Sequence, residues 1–358
     1  MQRFFLLMVS ITVFLAGCTN QRIIDRVQII QVLGYDIHDD KVKGTVIYPT
    51  YEEPGKTVLH TLETEADTFD YVLENMNTKS PHPIDTGQLR TVLFSKDFAE
   101  QGLKPVIQFM SKDPIVGSRM QLGITEPTAE NIIQLSVDQK VPSHLYDKIN
   151  HNIKHGSLPK MNLHVFLTDF YSEGKDPLLP YFIVEDGIVK IDGLAIFKKS
   201  KYINHINLKQ SYLLKMLKDG TKNGQYEAQV KDDDSEGYVF FKKLDSNVEY
   251  SINQIEQIPE ISIDLTVKTQ IKRVPEWLNL TKNKDIEKTE KILEKHFNKE
   301  IQQLISLLQE YEADPIGIGD KMRASSRKWN YERYLSIYPD LKTTVNTNVK
   351  IIQTGAEE

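Results

Sequence analysis

Two histidines, His151 and His155, are four residues apart in a segment typical of a short helix, and His144 precedes them by about two turns. Imidazoles at this spacing share one face of a helix, so they could bind a metal ion together. In zinc hydrolases of the H-E-x-x-H pattern, however, a glutamate base follows the first histidine, and this sequence has Asn152 there. We therefore interpret the pair as exposed histidines near a helix end.

An acidic segment is similar to the start of a calcium-binding loop, because Asp232, Asp234 and Glu236 precede Gly237. Such a loop requires a bidentate glutamate at its twelfth position, and here that residue is Lys243. The segment is therefore more typical of an acidic, solvated turn between two strands than of a metal site.

Two glycines, Gly317 and Gly319, match the start of a dinucleotide-binding fingerprint, but Met322 stands where the third glycine is needed. The pair also follows a helical segment, so we interpret both glycines as turn residues between two helices. The sequence has neither the G-x-S-x-G motif of hydrolases nor the phosphate-binding G-x-x-x-x-G-K-[ST] motif. We predict no catalytic residue, no metal site and no cofactor.

Five aromatic residues near the end of the chain could form a cluster. Packing into a core is the simplest use of such side chains, whereas a surface that faces a protein partner is the alternative. The five are Trp277, Trp329, Tyr331, Tyr334 and Tyr338.

Cys18 is the only cysteine of the chain, and it follows Leu15-Ala16-Gly17 and an apolar run over 4–15. About twelve apolar residues are too few to cross a bilayer, which takes ~20 residues as a helix. The run fits the core of a secretory signal, and the aliphatic–small–Gly–Cys order is similar to the bacterial lipobox. We predict a lipoprotein signal peptide over 1–17 and lipidation of Cys18. An ordinary secretory signal and an uncleaved amphipathic start are the alternatives.

The composition restricts how the chain could attach to its partners. Its net charge is −6, and removal of the signal peptide would take Arg3 and leave −7. An acidic chain favours neither nucleic acid nor anionic headgroups as a whole, so we expect no nucleic-acid partner and attachment through the lipid. A lone cysteine cannot form an internal disulfide. The body of about 340 residues is long enough for two or three domains.

After a polar spacer over 18–26, alternating strands and helices predict one mixed α/β domain over 27–184. A turn at 38–41 separates its first two strands. The predicted strands are 27–37, 42–51, 89–94 and 119–124, and the predicted helices are 67–77, 96–110, 128–135, 144–154 and 163–170.

Shorter strands joined by glycine or charged turns then predict a small middle domain over 185–256, made of a sheet with one helix. The strands lie at 181–185, 188–191, 194–198, 202–206, 225–231 and 238–244, and the helix at 208–217.

The C-terminal domain, over 257–356, has the clearest pattern. Strict alternation of apolar and polar residues over 261–271 predicts a long strand with one buried face. An apolar stripe over 284–312 predicts a helix, Pro315 ends it, and a second helix over 320–337 leads to a strand over 345–351. The unit is strand–helix–helix–strand. The predicted fold class is α+β, with three mixed α/β domains in series after a lipoprotein signal peptide.

These features together resemble the Ger(x)C family, the lipoprotein C subunits of spore germinant receptors. The residues after the cysteine depart from the Trp-Asp that is frequent in the family, because Thr19 and Asn20 stand there. The landmarks occur in the family's order: Cys18 and a strand ending in Gly34-Tyr35-Asp36; Gly193-Leu194-Ala195-Ile196-Phe197-Lys198, Tyr202 and Leu213-Leu214; Asp314-Pro315-Ile316-Gly317-Ile318-Gly319, Trp329 and a last strand running to Gly355.

The resemblance implies a non-enzymatic subunit anchored by diacylglycerol and palmitate on Cys18 to the outer face of the inner spore membrane. Its partners would be the integral-membrane A and B subunits of a receptor that senses small nutrients and triggers germination. We interpret Gly34, Gly193, Asp314 and Gly319 as residues that set backbone geometry rather than ligand contacts.

Two functions of other classes stay open. A solute-binding lipoprotein would deliver a small ligand to a membrane transporter, although such proteins usually have two similar doubly wound lobes. An exported hydrolase would need a nucleophile or a metal, and the sequence offers neither in a recognisable pattern.

Overall fold

The structure is a computed structural model that describes residues 27–53, 56–113, 117, 119–232, 235–253 and 259–354. The predicted signal peptide, the spacer and Cys18 lie outside the described residues. The described part is of the α+β class, as predicted, with one large and one smaller sheet and helices packed on both. None of its helices is long and apolar enough to cross a membrane.

The strands of the described residues are β1 (Gln28–Ile29), β2 (Val32–His38), β3 (Lys41–Glu53), β4 (Lys56–Ala66), β5 (Ile84–Asp85), β6 (Thr91–Ser95), β7 (Gln121–Thr125), β8 (Leu178–Glu185), β9 (Ile188–Lys198), β10 (Lys201–Asn207), β11 (Thr221–Asp232), β12 (Ser235–Asn253), β13 (Glu260–Arg273) and β14 (Lys342–Thr354). The helices are α1 (Tyr71–Lys79), α2 (Lys96–Gln101), α3 (Lys104–Lys112), α4 (Ala129–Val137), α5 (His144–His155), α6 (Leu163–Tyr171), α7 (Leu208–Asp219), α8 (Asn283–Glu310), α9 (Ile318–Ser325) and α10 (Tyr331–Ile337), followed by a 3-10 turn at Tyr338–Asp340.

The larger sheet has eight strands in the order β10-β9-β8-β7-β6-β2-β3-β4. β2, β6, β7 and β8 are parallel to one another, and the remaining pairs are antiparallel hairpins. The central strands β6 and β7 are buried along their whole length, as expected of parallel strands covered by helices on both faces. The predicted turn at 38–41 joins β2 to β3, where Asp39 and Asp40 both have positive φ.

The smaller sheet has four strands in the order β11-β12-β13-β14. The alternation predicted for 261–271 is confirmed, because β13 buries every second side chain. β14 lies parallel to β13, so the helices α8, α9 and α10 between them form the crossover connection that parallel strands require. α8 buries Leu293, Phe297, Ile301, Leu304 and Leu308, which belong to the predicted apolar stripe.

The strands predicted for the middle domain over 185–256 do not form a sheet of their own. β8, β9 and β10 extend the larger sheet, whereas β11 and β12 pair with β13 in the smaller one. The physical reason is that α7 packs between the two sheets within a single continuous hydrophobic cluster, which leaves no separate core for a middle unit. The division of the chain into three domains stays a prediction.

Two predicted helices are each divided in the structure, and one long strand is absent from the prediction. The helix predicted over 96–110 is two helices, because Gly102 between α2 and α3 has a φ of 107°. The helix predicted over 320–337 is also divided, since Asn330 starts α10 with a side-chain cap on the backbone N–H of Arg333. β4 was not predicted at all: its many polar side chains hide the alternation of an edge strand.

The outer edge of β14 is closed by side chains of α8. Asn298 accepts the backbone N–H of Thr347 (2.8 Å). Glu294 and Glu290 accept the N–H groups of Val349 (3.1 Å) and Ile351 (2.9 Å) in the same way. Four helical residues rise about 6 Å, which nearly equals the advance of two strand residues, so the acceptors stay in step with the outward N–H groups. An edge strand covered in this way cannot pair with a second chain.

We expect the triple variant Glu290→Ala, Glu294→Ala and Asn298→Ala to expose this edge and to self-associate at increasing protein concentration. Size-exclusion chromatography with light scattering measures the change in mass. The matched control replaces Lys291, Lys295 and Lys299 by alanine, because these exposed residues lie on the same helix and no sheet hydrogen bond involves them. Equal masses for the two triple variants over the whole concentration range would contradict the expectation.

Candidate functional site

The segment Asp314–Gly319 connects α8 to α9 and buries a carboxylate at its first residue. The Asp314 side chain accepts hydrogen bonds from the backbone N–H of Gly317 (2.8 Å) and of Gly319 (2.8 Å). A third donor is the hydroxyl of Tyr334, 2.7 Å from Oδ2. Asp314 therefore fixes the turn between the helices and holds α10 against it, which agrees with its interpretation as a geometry residue.

A second buried carboxylate, Asp176, belongs to the loop between α6 and β8. The backbone N–H of Asp314 donates to Oδ2 of Asp176 (2.9 Å), and the N–H of Asp176 donates to the carbonyl oxygen of Asp314 (2.9 Å). Oδ1 of Asp176 also accepts the N–H of Lys199 in the β9–β10 turn (2.8 Å). This reciprocal pair joins a loop of the larger sheet to the connection beneath the smaller one.

The two loops also touch through glycines. A Cβ on Gly174 would lie 2.3 Å from the backbone nitrogen of Asp320, and a Cβ on Gly319 would lie 2.7 Å from Cα of Gly174. The N–H of Asp320 donates to the carbonyl of Gly174 (2.9 Å), and the Ser172 hydroxyl donates to Oδ1 of Asp320 (2.6 Å). Only residues without a side chain permit backbones this close.

We call the contact between the loop that carries Asp176 and the Asp314–Gly319 segment the junction. Its electrostatics follow from the burial of its carboxylates. Desolvation raises the pKa of Asp314 and of Asp176, and the backbone hydrogen bonds that each carboxylate accepts oppose that shift. Desolvation and the neighbouring Asp314 charge raise the pKa of Tyr334, so its hydroxyl stays protonated and donates. The oxygens of both carboxylates are engaged in hydrogen bonds, so this arrangement serves architecture rather than acid–base chemistry.

A buried lysine completes the junction. Lys218 on α7 donates from Nζ to Oδ2 of Asp169 (3.1 Å) and to the carbonyl of Pro315 (3.1 Å). Lys175 pairs with the other oxygen of Asp169 at 2.9 Å. Burial lowers the pKa of Lys218 to about 8, and the Asp169 charge opposes this shift. α6, α7 and the Asp314–Gly319 segment are thus held together by one charged group and its partners.

Another predicted landmark, Gly34-Tyr35-Asp36, fastens α4 to the larger sheet. A Cβ on Gly34 would lie 2.8 Å from Cβ of Ala129, so the glycine permits close packing of helix on strand. The Asp36 carboxylate accepts the N–H groups of Ala129 (2.7 Å) and Glu130 (2.9 Å), which caps the helix start. This landmark is structural as well.

The histidine and acidic patterns lie apart from the junction. His151 and His155 share one face of α5, with ring centroids 5.4 Å apart. Among the described residues, no three His, Cys, Asp or Glu side chains gather where they could hold a metal ion. Of the acidic segment, Asp232 pairs with Lys288 on α8 and Glu236 pairs with Lys231, whereas Asp234 lies outside the described residues.

The five aromatic residues divide between two places. Tyr334 and Tyr338 are buried in the junction, and the hydroxyl of Tyr338 donates to the carbonyl of Ala313 (2.8 Å). Trp329 lies against Tyr334 with ring centroids 5.3 Å apart, and Nζ of Lys199 lies 4.9 Å from the ring centroid of Tyr331. Trp277, by contrast, donates to the carbonyl of Glu236 at the end of the smaller sheet, so it is not part of the cluster.

Sequence reasoning missed the residues that meet the Asp314–Gly319 segment. Asp176 pairs with the backbone of Asp314, Lys218 donates to the carbonyl of Pro315, and Gly174 lies against Gly319. No local pattern identified this pairing, because the Asp-Pro dipeptide that Asp176 and Asp314 share also occurs at 113–114.

Comparisons with known proteins cover nearly the whole chain. Residues 20–184 match the family model described as "Spore germination protein N-terminal domain". Residues 192–355 match the model described as "Spore germination B3/ GerAC like, C-terminal".

Relatives of the chain and a solved structure agree with these matches. The chain is 28% identical to spore germination protein GerQC of Bacillus cereus over 100% of both chains. It is 21% identical to spore germination protein KC of Bacillus subtilis (strain 168), over 98% of this chain and 95% of that protein. The crystal structure of the GerBC protein superposes with a TM-score of 0.58 at 18% identity, over 90% of this chain and 97% of that one, which shows a shared fold.

Proposed function

The chain belongs to the Ger(x)C family of spore germination proteins, and from this premise we propose that it is the non-enzymatic, lipid-anchored C subunit of a germinant receptor. The A and B subunits are its proposed partners, and the outer face of the inner spore membrane is its proposed location. Its proposed role is to hold or regulate those membrane subunits during nutrient-triggered germination.

One observation carries this proposal. The two family models together extend from residue 20 to residue 355, and the first begins two residues after Cys18. The matched region is therefore nearly the same as the chain that would remain after cleavage before Cys18. Two acyl chains suffice to attach a protein stably to a membrane, whereas a single acyl chain binds only reversibly.

The engagement of the buried polar groups supports a role without chemistry. Asp314 and Asp176 are both buried in the junction, and their oxygens accept hydrogen bonds from the protein itself. A catalytic carboxylate would need an oxygen within reach of a substrate. The junction instead fixes the larger sheet relative to the smaller one, as a scaffold subunit requires.

Replacement of Cys18 by alanine tests the proposal. We expect the variant to leave the spore membrane fraction and nutrient-triggered germination to fail, because all acyl chains of the anchor are lost. Immunoblots of the fractions and the optical-density decrease of spores after nutrient addition measure the two effects. A Thr19→Ala strain is the control, since it changes the next residue and leaves the thiol. Membrane retention and normal germination of the Cys18→Ala strain would contradict the proposal.

A further inference from the structure

The described chain begins at the edge of the larger sheet where the parallel strands β2, β6 and β7 start. The N–H of Gln28 donates to the carbonyl of Pro83 (2.8 Å), and the N–H of Arg90 donates to the carbonyl of Gln31 (3.0 Å). The carbonyl of Arg90 in turn accepts the N–H of Gln121 at the start of β7 (2.8 Å). The segments that precede β2, β6 and β7 thus lie side by side at the point where the chain enters the body.

An open cleft of about 390 Å³ lies at this edge, and Arg90 and Arg119 both line it. The guanidinium carbon of Arg90 is 5.8 Å from the ring centroid of Tyr146, which also lines the cleft. Gly87 and Gly117 contribute backbone without side chains. Among the described residues that line the cleft, none carries a carboxylate.

Both arginines are exposed, and within the described ranges neither forms an ion pair with a carboxylate. Most basic side chains of the junction, such as Lys175 and Lys218, already have partners. Two unpaired guanidinium groups in one cleft attract an oxyanion, because the planar fork of arginine matches the oxygens of a phosphate.

The distance to the predicted lipid limits which phosphate could reach this cleft. Val27 lies nine positions after Cys18, and an extended chain spans at most ~3.3–3.6 Å per residue, or about 30 Å in all. Because Val27 lies at the same edge as Arg90 and Arg119, the predicted anchor keeps this edge within reach of the headgroups. Anionic lipids give such a surface a negative potential that attracts nearby arginines.

We propose that the Arg90–Arg119 cleft binds the phosphate of an anionic membrane lipid and so orients the body with this edge towards the bilayer. This inference rests on the lipid anchor of the proposed function. It explains how an acidic chain could still contact the bilayer, because the local charge of the cleft has the opposite sign to the net charge of −6.

A second basic surface competes with this assignment. Residues 321–335 carry five Lys or Arg and one Glu, beside the partly buried Trp329. This surface lies about 300 residues after Cys18 in the chain, whereas Val27, at the same edge as the cleft, lies nine positions after it. The test must therefore compare the two.

The test uses the mature chain from residue 18 to residue 358 with Cys18→Ala, so that neither a lipid nor the apolar signal peptide contributes to binding. Sedimentation with phosphatidylglycerol-containing vesicles and with pure phosphatidylcholine vesicles gives the binding that depends on anionic lipid. We expect Arg90→Glu together with Arg119→Glu to weaken that binding at least tenfold and to remove most of its salt dependence. Two double variants with the same change of charge are the controls: Lys291→Glu with Lys295→Glu, and Arg327→Glu with Lys328→Glu.

Three outcomes would overturn the proposal: equal binding to both vesicle types, loss of binding only in the Arg327→Glu, Lys328→Glu variant, and complete competition by millimolar inorganic phosphate. The last would identify a free anion rather than a lipid as the ligand. Circular dichroism of each variant confirms that it is folded. Because the chain in this test carries no lipid, a negative result here would not contradict the proposed lipid anchor. A negative result of the Cys18 experiment would likewise leave the vesicle-binding result unchanged.

Discussion

Asp314→Ala is expected to lower the free energy of unfolding by about 4 kcal/mol, because three buried donors lose their acceptor at once. The donors are the N–H groups of Gly317 and Gly319 and the Tyr334 hydroxyl. A buried donor left without a partner costs roughly 1–3 kcal/mol, and contributions within one network are not additive. Urea unfolding followed by circular dichroism measures the change. We expect Asp314→Asn, which keeps one acceptor oxygen, to fall between the alanine variant and the parent.

Asp320→Ala is the matched control for this prediction. Asp320 lies six residues further on and also accepts a hydrogen bond, from Ser172, but its side chain is 32% exposed. Its pairing with Arg323 is a surface ion pair, so we expect a loss of about 1 kcal/mol or less. The prediction for Asp314 would be wrong if the two alanine variants unfolded at the same urea concentration.

Gly193→Ala is expected to lower the free energy of unfolding by an amount similar to that of Asp314→Ala. The reason is an overlap of backbone atoms and not the loss of a charged group. Gly193 lies at an irregularity of β9, with a φ of 154°. A Cβ there would lie 1.8 Å from the carbonyl oxygen of Ile206 in β10. Because the neighbour is backbone, the β9–β10 pair must separate, and we expect a loss of about 3 kcal/mol or more. A shift of the urea midpoint and new trypsin cleavage near β10 are the measurements.

Gly187→Ala is the control that separates the atomic overlap in Gly193→Ala from the cost of a positive φ alone. Gly187 lies in the β8–β9 turn with a φ of 75°, and a Cβ there would meet nothing within 4 Å. A side chain in the left-handed region costs only about 1–2 kcal/mol. A loss of stability in Gly193→Ala no larger than that in Gly187→Ala would show that the overlap is relieved without opening the sheet.

Local patterns predicted most elements of the fold. The alternation over 261–271 predicted β13, and the apolar stripe over 284–312 predicted α8. Asp314-Pro315 predicted the end of that helix, since proline disfavours helix in the residue before it. The resemblance to the Ger(x)C family, carried by landmarks of this kind, is confirmed by the family models. The lipidation of Cys18 stays a prediction from its four-residue motif.

The tertiary structure alone decided which strands share a sheet and which charged residues meet. Alternation of apolar and polar residues indicates that one face of a strand is buried, but it does not indicate which strand lies beside it. β8 to β12 are divided between the sheets because α7 fills the space between them. Asp176 and Asp314 are 138 residues apart in the sequence. They meet because the two loops that carry them have glycines where their backbones come closest. The sequence by itself determined what each segment becomes; the neighbours of each segment depend on packing over the whole chain, which no local pattern encodes.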